Sequence, residues 1–157
     1  MKKVFTTDND LYSENNKPEM SFKIDNMVYI PYNNNARECT TAFEVVFYEK
    51  ENGDCPVEEF LDSLDDKMRA KTVGLLDLLE EKGNQLREPY SKAIDDGIFE
   101  LRCKVGSNIT RILYFFYYKG EIVLTNGFVK KTQKTPSKEI RLAKKRRADF
   151  KERMERL

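Results

Sequence analysis

After residue 41 the apolar positions change rhythm several times, and each change predicts an element. In residues 42–48, AFEVVFY, Phe43, Val45 and Phe47 alternate with Glu44, Val46 and Tyr48, the two-residue period of a strand. ENGD (51–54) turns the chain, and Pro56 suits the first turn of a helix, where its missing N–H is not needed. Val57, Phe60, Leu61 and Leu64 recur at i, i+3, i+4 and i+7, one stripe of a helix. Met68, Thr72, Leu75, Leu76 and Leu79 form a second stripe that stops near Gly83, a residue able to end a helix. The short link SLDD makes the two a helical hairpin.

LREPYSKAIDDG (86–97) reads as a loop. Three strands follow, IFELRCKV, NITRILYFFYY and EIVLTNGFVKK, separated at Gly106-Ser107 and Lys119-Gly120 by two-residue turns. Thr135-Pro136 supplies a cap and first-turn pair for a last helix, with Ile140, Ala143, Phe150, Met154 and Leu157 as its apolar positions. The order β-α-α-β-β-β-α predicts an α+β fold. Its small antiparallel sheet is flanked by an N-terminal helical hairpin and a C-terminal helix. Residues 1–41, rich in Asn, Asp, Ser, Thr and Glu, read as a loosely ordered extension that could add a strand or hairpin, leaving 42–157 as the domain.

Two-residue turns fix a register by counting. Cys103 falls opposite Thr110, Leu101 opposite Ile112 and Phe99 opposite Tyr114, all core pairs. The alternate set puts Arg102 opposite Arg111, Lys104 opposite Ile109 and Glu100 opposite Leu113. Pairing Tyr118 with Glu121 across the second turn then sets Phe128 beside Arg111 and Lys130 beside Ile109. One face, expected to be open, thus gathers Glu100, Arg102, Lys104, Arg111, Asn126 and Lys130. Each residue alone reads as part of a solvated sheet face. Facing arginines repel, however, and their clustering suits an anion. Core packing is the main reading of YFFYY (114–118), accounting for its inward rings; Phe115 or Tyr117 could instead be an outward ring able to stack on RNA bases.

Composition narrows the chemistry. The 157 residues include no histidine, which excludes Ser-His-Asp triads, Cys-His dyads and histidine-bound zinc. A net charge of +1 hides a polarised chain. Residues 98–157 carry 16 Lys and Arg against 6 acids, and residues 1–97 carry 12 against 21. A basic half of this kind suggests a phosphate-bearing partner. Three unpatterned cysteines suggest a reducing compartment. No apolar run approaches the ~20 residues of a membrane span, and the first residues lack a signal-like apolar region. A cytoplasmic protein without metal, cofactor or membrane association is expected.

DGIFELR, TRILYFF and IVLTNGFVKKTQKTPSKEIRLAKKRRADF resemble the RelE/ParE superfamily of type II toxins, with the strongest likeness to its phage-derived, HigB-like branch. The likeness covers about residues 43–150, including FYEKENGDCPVEEFLDSL, and GFVKKTQKTPSKEI is its most specific phrase. Asn126 stands where such proteins often carry histidine. The resemblance implies a metal-independent mRNA interferase acting on ribosome-bound messenger RNA and silenced by a helix-turn-helix antitoxin.

In that reading Arg102 and Arg111 hold the scissile phosphate, and Lys130 and Lys131 transfer protons or neutralise charge. Glu100 orients an arginine or acts as base. Lys104, Lys134, Lys144, Lys145 and Arg146 bind RNA. The rival readings are a ParE-like inhibitor of DNA gyrase, which cuts nothing, and an inactive RNA-binding remnant.

Overall fold

The computed structural model describes residues 22–24, 27–29, 43–131 and 133–157. The chain separates into two units, residues 1–40 and 41–157. In the first, β1 (Phe22–Ile24) and β2 (Met27–Tyr29) pair antiparallel. The rest of the expected loose extension lies outside the described residues.

The second unit is α+β. Its elements are β3 (Glu44–Phe47), α1 (Pro56–Asp62), α2 (Asp66–Lys82), β4 (Ser91–Asp95), β5 (Ile98–Val105), β6 (Asn108–Phe116), β7 (Glu121–Val129) and α3 (Ser137–Glu155). The five strands form one sheet in the order β3-β7-β6-β5-β4.

The sheet is mixed, not wholly antiparallel as expected: β3 lies parallel to β7, since the chain between them returns through helices and other strands. The segment read as a loop holds β4, an edge strand paired to β5 with an irregularity between Ala93 and Asp95. Only Ser91 is buried and Ile94 half-buried among its five residues, so this edge strand carries no apolar alternation to reveal it.

The helices obey their sequence signals. Asp65 caps α2, accepting the Met68 N–H at 3.0 Å, and Gly83 ends it at φ 51°. A Cβ on Gly83 would lie 2.1 Å from the Phe43 ring, so both space and backbone demand glycine there. Val57, Leu61, Met68, Leu75 and Leu79 are buried where α1 meets β7 and α2 meets β5. Leu101, Cys103, Ile112 and Tyr114 supply the sheet's side of that core.

The other face is covered as well, against expectation. Leu113, Phe115 and Val123 join Ile98, Tyr48, Ala143 and Phe150 in a second core beneath α3. Core packing, the main reading of these rings, holds, and both candidate outward rings pack here. Phe115 is 1% exposed, and both Phe115 and Tyr117 meet the Phe150 ring edge-on, at 5.9 and 5.2 Å. Of the other apolar positions foreseen for α3, Met154 and Leu157 are exposed.

Polar contacts add to this docking. The Tyr48 hydroxyl donates to Asp149 at 2.7 Å, and Arg146 and Arg153 lie over its ring at 5.6 and 5.2 Å. Burial, then the hydrogen bond to Asp149, raise the Tyr48 hydroxyl above its ordinary pKa.

The β5–β6 register is the one counted from the sequence, with Arg102 opposite Arg111. The next turn is different. Residues 118–120 form a three-residue 3₁₀ turn, and the Tyr117 N–H donates to Glu121 O at 2.7 Å. Tyr118 therefore does not pair with Glu121. A bulge at Thr125 then inserts one residue into β7, so that Leu113 meets Asn126 while Tyr114 meets Leu124. Beyond the bulge the counted register returns, with Arg111 beside Phe128.

Candidate functional site

Alternation along β5 and β6 brings Glu100, Arg102 and Arg111 to the α3 side of the sheet. Glu100 is wholly buried. Its Oε1 accepts from Arg102 Nε at 2.6 Å, and its Oε2 from Arg111 Nη1 at 3.0 Å. Thr135 Oγ1 also donates to Oε2. One carboxylate thus joins two cations whose backbones face each other, which relieves their repulsion. Both oxygens accept, so in this arrangement Glu100 holds the two guanidiniums in place.

The two arginines differ. Arg111 is 4% exposed, not open as expected. Its Nη1 also donates to Thr135 Oγ1 at 2.7 Å and its Nη2 to the Gln133 carbonyl at 3.1 Å, while Nε is buried without a partner. The side chain of Arg102 is 27% exposed and reaches a well-exposed carboxylate, Glu88, at 3.5 Å. A contact of that kind contributes little.

Thr135 carries out a different task from the one its sequence position suggested. The helix starts at Ser137 with Pro136 as N-cap and no side-chain cap, because the Thr135 hydroxyl is turned inward to Glu100. Asn126 is buried too, donating to Glu139 Oε2 at 2.9 Å and accepting from Thr125 Oγ1 at 2.7 Å. Sequence reasoning missed Thr135, Gln133 and Glu139. The pattern offered only a threonine before a proline, which is also how a cap looks.

The lysines surround this buried centre. Lys104 and Lys130 flank Ile109 in the row next to the arginine pair, the Lys130 N–H donating to Ile109 O at 2.8 Å. Strand spacing sets their Cα atoms about 10 Å apart. Lys130 Nζ donates to Gln133 Oε1 at 3.2 Å. Since β7 ends at Val129, strand alternation does not constrain Lys131, which is exposed, as are Lys104 and Lys134.

The basic run of α3 is divided. Lys145 is exposed. Lys144 pairs with Asp95 at 2.8 Å, and Arg146 donates to the Thr125 carbonyl at 2.8 Å besides covering Tyr48. The structure therefore sets Lys104 and Lys130 in one row at the ends of β5 and β7, with Lys131 and Lys134 following in the chain; Arg146 is engaged by internal contacts, whereas Lys144 makes an exposed surface pair.

Among the described residues no group of three or more Cys, Asp or Glu side chains is arranged to hold a metal ion, and no helix is long and apolar enough to cross a membrane. No curated protein matches the chain. Residues 59–148, which include the arginine pair, the lysines and most of α3, match a family model described as Phage derived protein Gp49-like (DUF891).

Proposed function

The chain belongs to this Gp49-like, phage-derived family of RelE-like type II toxins, and from that premise we propose that it is a HigB-like mRNA endoribonuclease restrained by a cognate antitoxin. The supporting observation is the buried Glu100 that aligns two arginines in the row beside Lys104 and Lys130. Glu100 uses the charge of Arg111 internally and leaves Arg102, with its side chain 27% exposed, as the guanidinium able to meet a phosphate.

The chemistry is attack of the ribose 2′-hydroxyl on the adjacent phosphate, with loss of the 5′-oxygen and no metal. Arg102, the accessible member of the pair, contacts the scissile phosphate and neutralises the charge that grows on it. Lys130 and Lys131 supply proton transfer or further neutralisation. Lys104 and Lys134 hold flanking phosphates, and Lys145 extends the attraction along α3. The target is messenger RNA on the ribosome.

Expression without antitoxin, followed by mapping of messenger RNA ends, tests this reading. The wild type should arrest growth and create new 5′ ends, and Arg102→Ala should slow cutting ~10²–10³-fold. Arrest with gyrase-dependent DNA breaks and intact messenger RNA would transfer the protein to the gyrase-inhibitor class. Harmless expression of the folded wild type would make it a remnant.

A further inference from the structure

Arg111 is the less accessible of the two arginines, and its contacts all lead inward or to the segment that precedes α3. A guanidinium offers five donors. In Arg111, Nη1 is taken by Glu100 and Thr135 and Nη2 by the Gln133 carbonyl. Gln133 in turn receives Lys130 Nζ on its side chain. A continuous hydrogen-bonded chain therefore runs from Glu100 through Arg111 to residues 133 and 135, and from Gln133 to Lys130. For Arg111 to reach a phosphate, this segment would have to come away and Glu100 would lose a cation while buried.

Resting on the RNA-cleavage reading, we infer that Arg111 is a positioning residue. It fixes the strap of residues 133–135 through Thr135 Oγ1 and the Gln133 carbonyl, so that Lys130 is held in place and Arg102 is the arginine that meets the RNA. Glu100 and Thr135 belong to the same device. Glu100 sets the guanidinium plane, and the Thr135 hydroxyl bridges carboxylate and guanidinium, donating to one and accepting from the other. Geometry held in this way is valuable because small misplacements of a reacting group are costly in rate.

The test compares Thr135→Val, Thr135→Ser, Arg111→Met and the Thr135→Val/Arg111→Met double variant with Arg102→Ala. A defined messenger is cut in a reconstituted translation system under single-turnover conditions. The readouts are the rate at saturating protein, the protein concentration giving half that rate, and amide exchange over residues 131–135.

Positioning predicts that Thr135→Val and Arg111→Met lower the saturating rate about tenfold or more and raise exchange in the strap, with half-saturation little changed. The double variant should be no worse than Arg111→Met within about twofold, and Thr135→Ser should restore most of the rate. Arg102→Ala should lower the rate ~10²–10³-fold, also weaken half-saturation, and leave strap exchange as in the wild type.

Should Arg111→Met fail to fold, the valine and serine variants at Thr135 decide the matter by themselves. A Thr135→Val protein with wild-type rate and strap protection would overturn the inference. So would an Arg111→Met protein that weakens half-saturation as Arg102→Ala does while keeping the strap protected. A wild type that cuts no RNA overturns the cleavage reading itself, a result distinct from either of these.

Discussion

Glu100→Ala is the most severe single test of the buried charge centre. The substitution removes acceptors for Arg111 at 3.0 Å and Arg102 at 2.6 Å, and for the Thr135 hydroxyl, from a site with no solvent exposure. Arg111, at 4% exposure, keeps only neutral partners. Breaking one side of a buried ion pair costs about 3–5 kcal/mol. The facing guanidiniums add repulsion of up to about 3 kcal/mol, taking ~6 Å and an effective dielectric of ~20, though Arg102 relieves part of this by turning to water.

The expected loss is therefore at least about 3–5 kcal/mol, a fall in urea midpoint of about 1.5 M or more for a slope near 2 kcal/mol/M. Glu100→Gln, which keeps an acceptor but loses the charge, should lose roughly half as much. The discriminating variant is Glu100→Ala/Arg111→Met. Deleting the stranded cation should return about 2 kcal/mol, so the two penalties fall well short of adding. A loss below about 1 kcal/mol for Glu100→Ala, or penalties that simply add, would refute this account of how the cations are held.

Two further outcomes follow from packing and titration. Gly127→Ala would set a Cβ 2.1 Å from the Phe60 ring; overpacking of this kind costs about 1–3 kcal/mol, and an unchanged melting temperature would contradict it. Burial raises the Tyr114 hydroxyl above its ordinary pKa of 10.0, despite its hydrogen bond with Ser91. Because the folded value is the higher, this contribution is intact below about pH 10 and is lost as pH rises through the folded value. Urea midpoints between pH ~9 and ~11 should fall less steeply in Tyr114→Phe than in the wild type, Tyr48 carrying the remainder.

Much of the fold is readable from local signals, since α1, α2, β5 and β6 each declare themselves by period and by Pro56, Gly83 or Gly106, although the Asp65 cap of α2 went unread. The β5–β6 register followed from the length of one turn. The β6–β7 register near Arg111 also matched, but through two offsets that cancel. The turn holds one residue more than counted, and the Thr125 bulge adds one to β7. Neither leaves a trace in alternation.

What the sequence concealed was the cover over the second sheet face. Leu113, Phe115 and Val123 were sufficient to call α3 down upon it, yet in the linear chain they stand among arginines that suggest a wet surface. The burial of Arg111 follows from that cover. So does the inward turn of Thr135, which competes successfully against capping because a buried carboxylate is the stronger acceptor.

The edges of the sheet restrict how any partner can recognise this domain. Glu80 Oε1 accepts the outward Val45 N–H at 2.7 Å, so a foreign strand aligning with β3 would first have to expel a carboxylate. At the opposite edge β4 presents five residues interrupted by its irregularity, a short and uneven template. Backbone pairing therefore offers an incoming chain little purchase on either side. A partner that meets the five-stranded sheet at these edges would rely mainly on side-chain contacts, so single substitutions on the surface it covers should weaken it measurably.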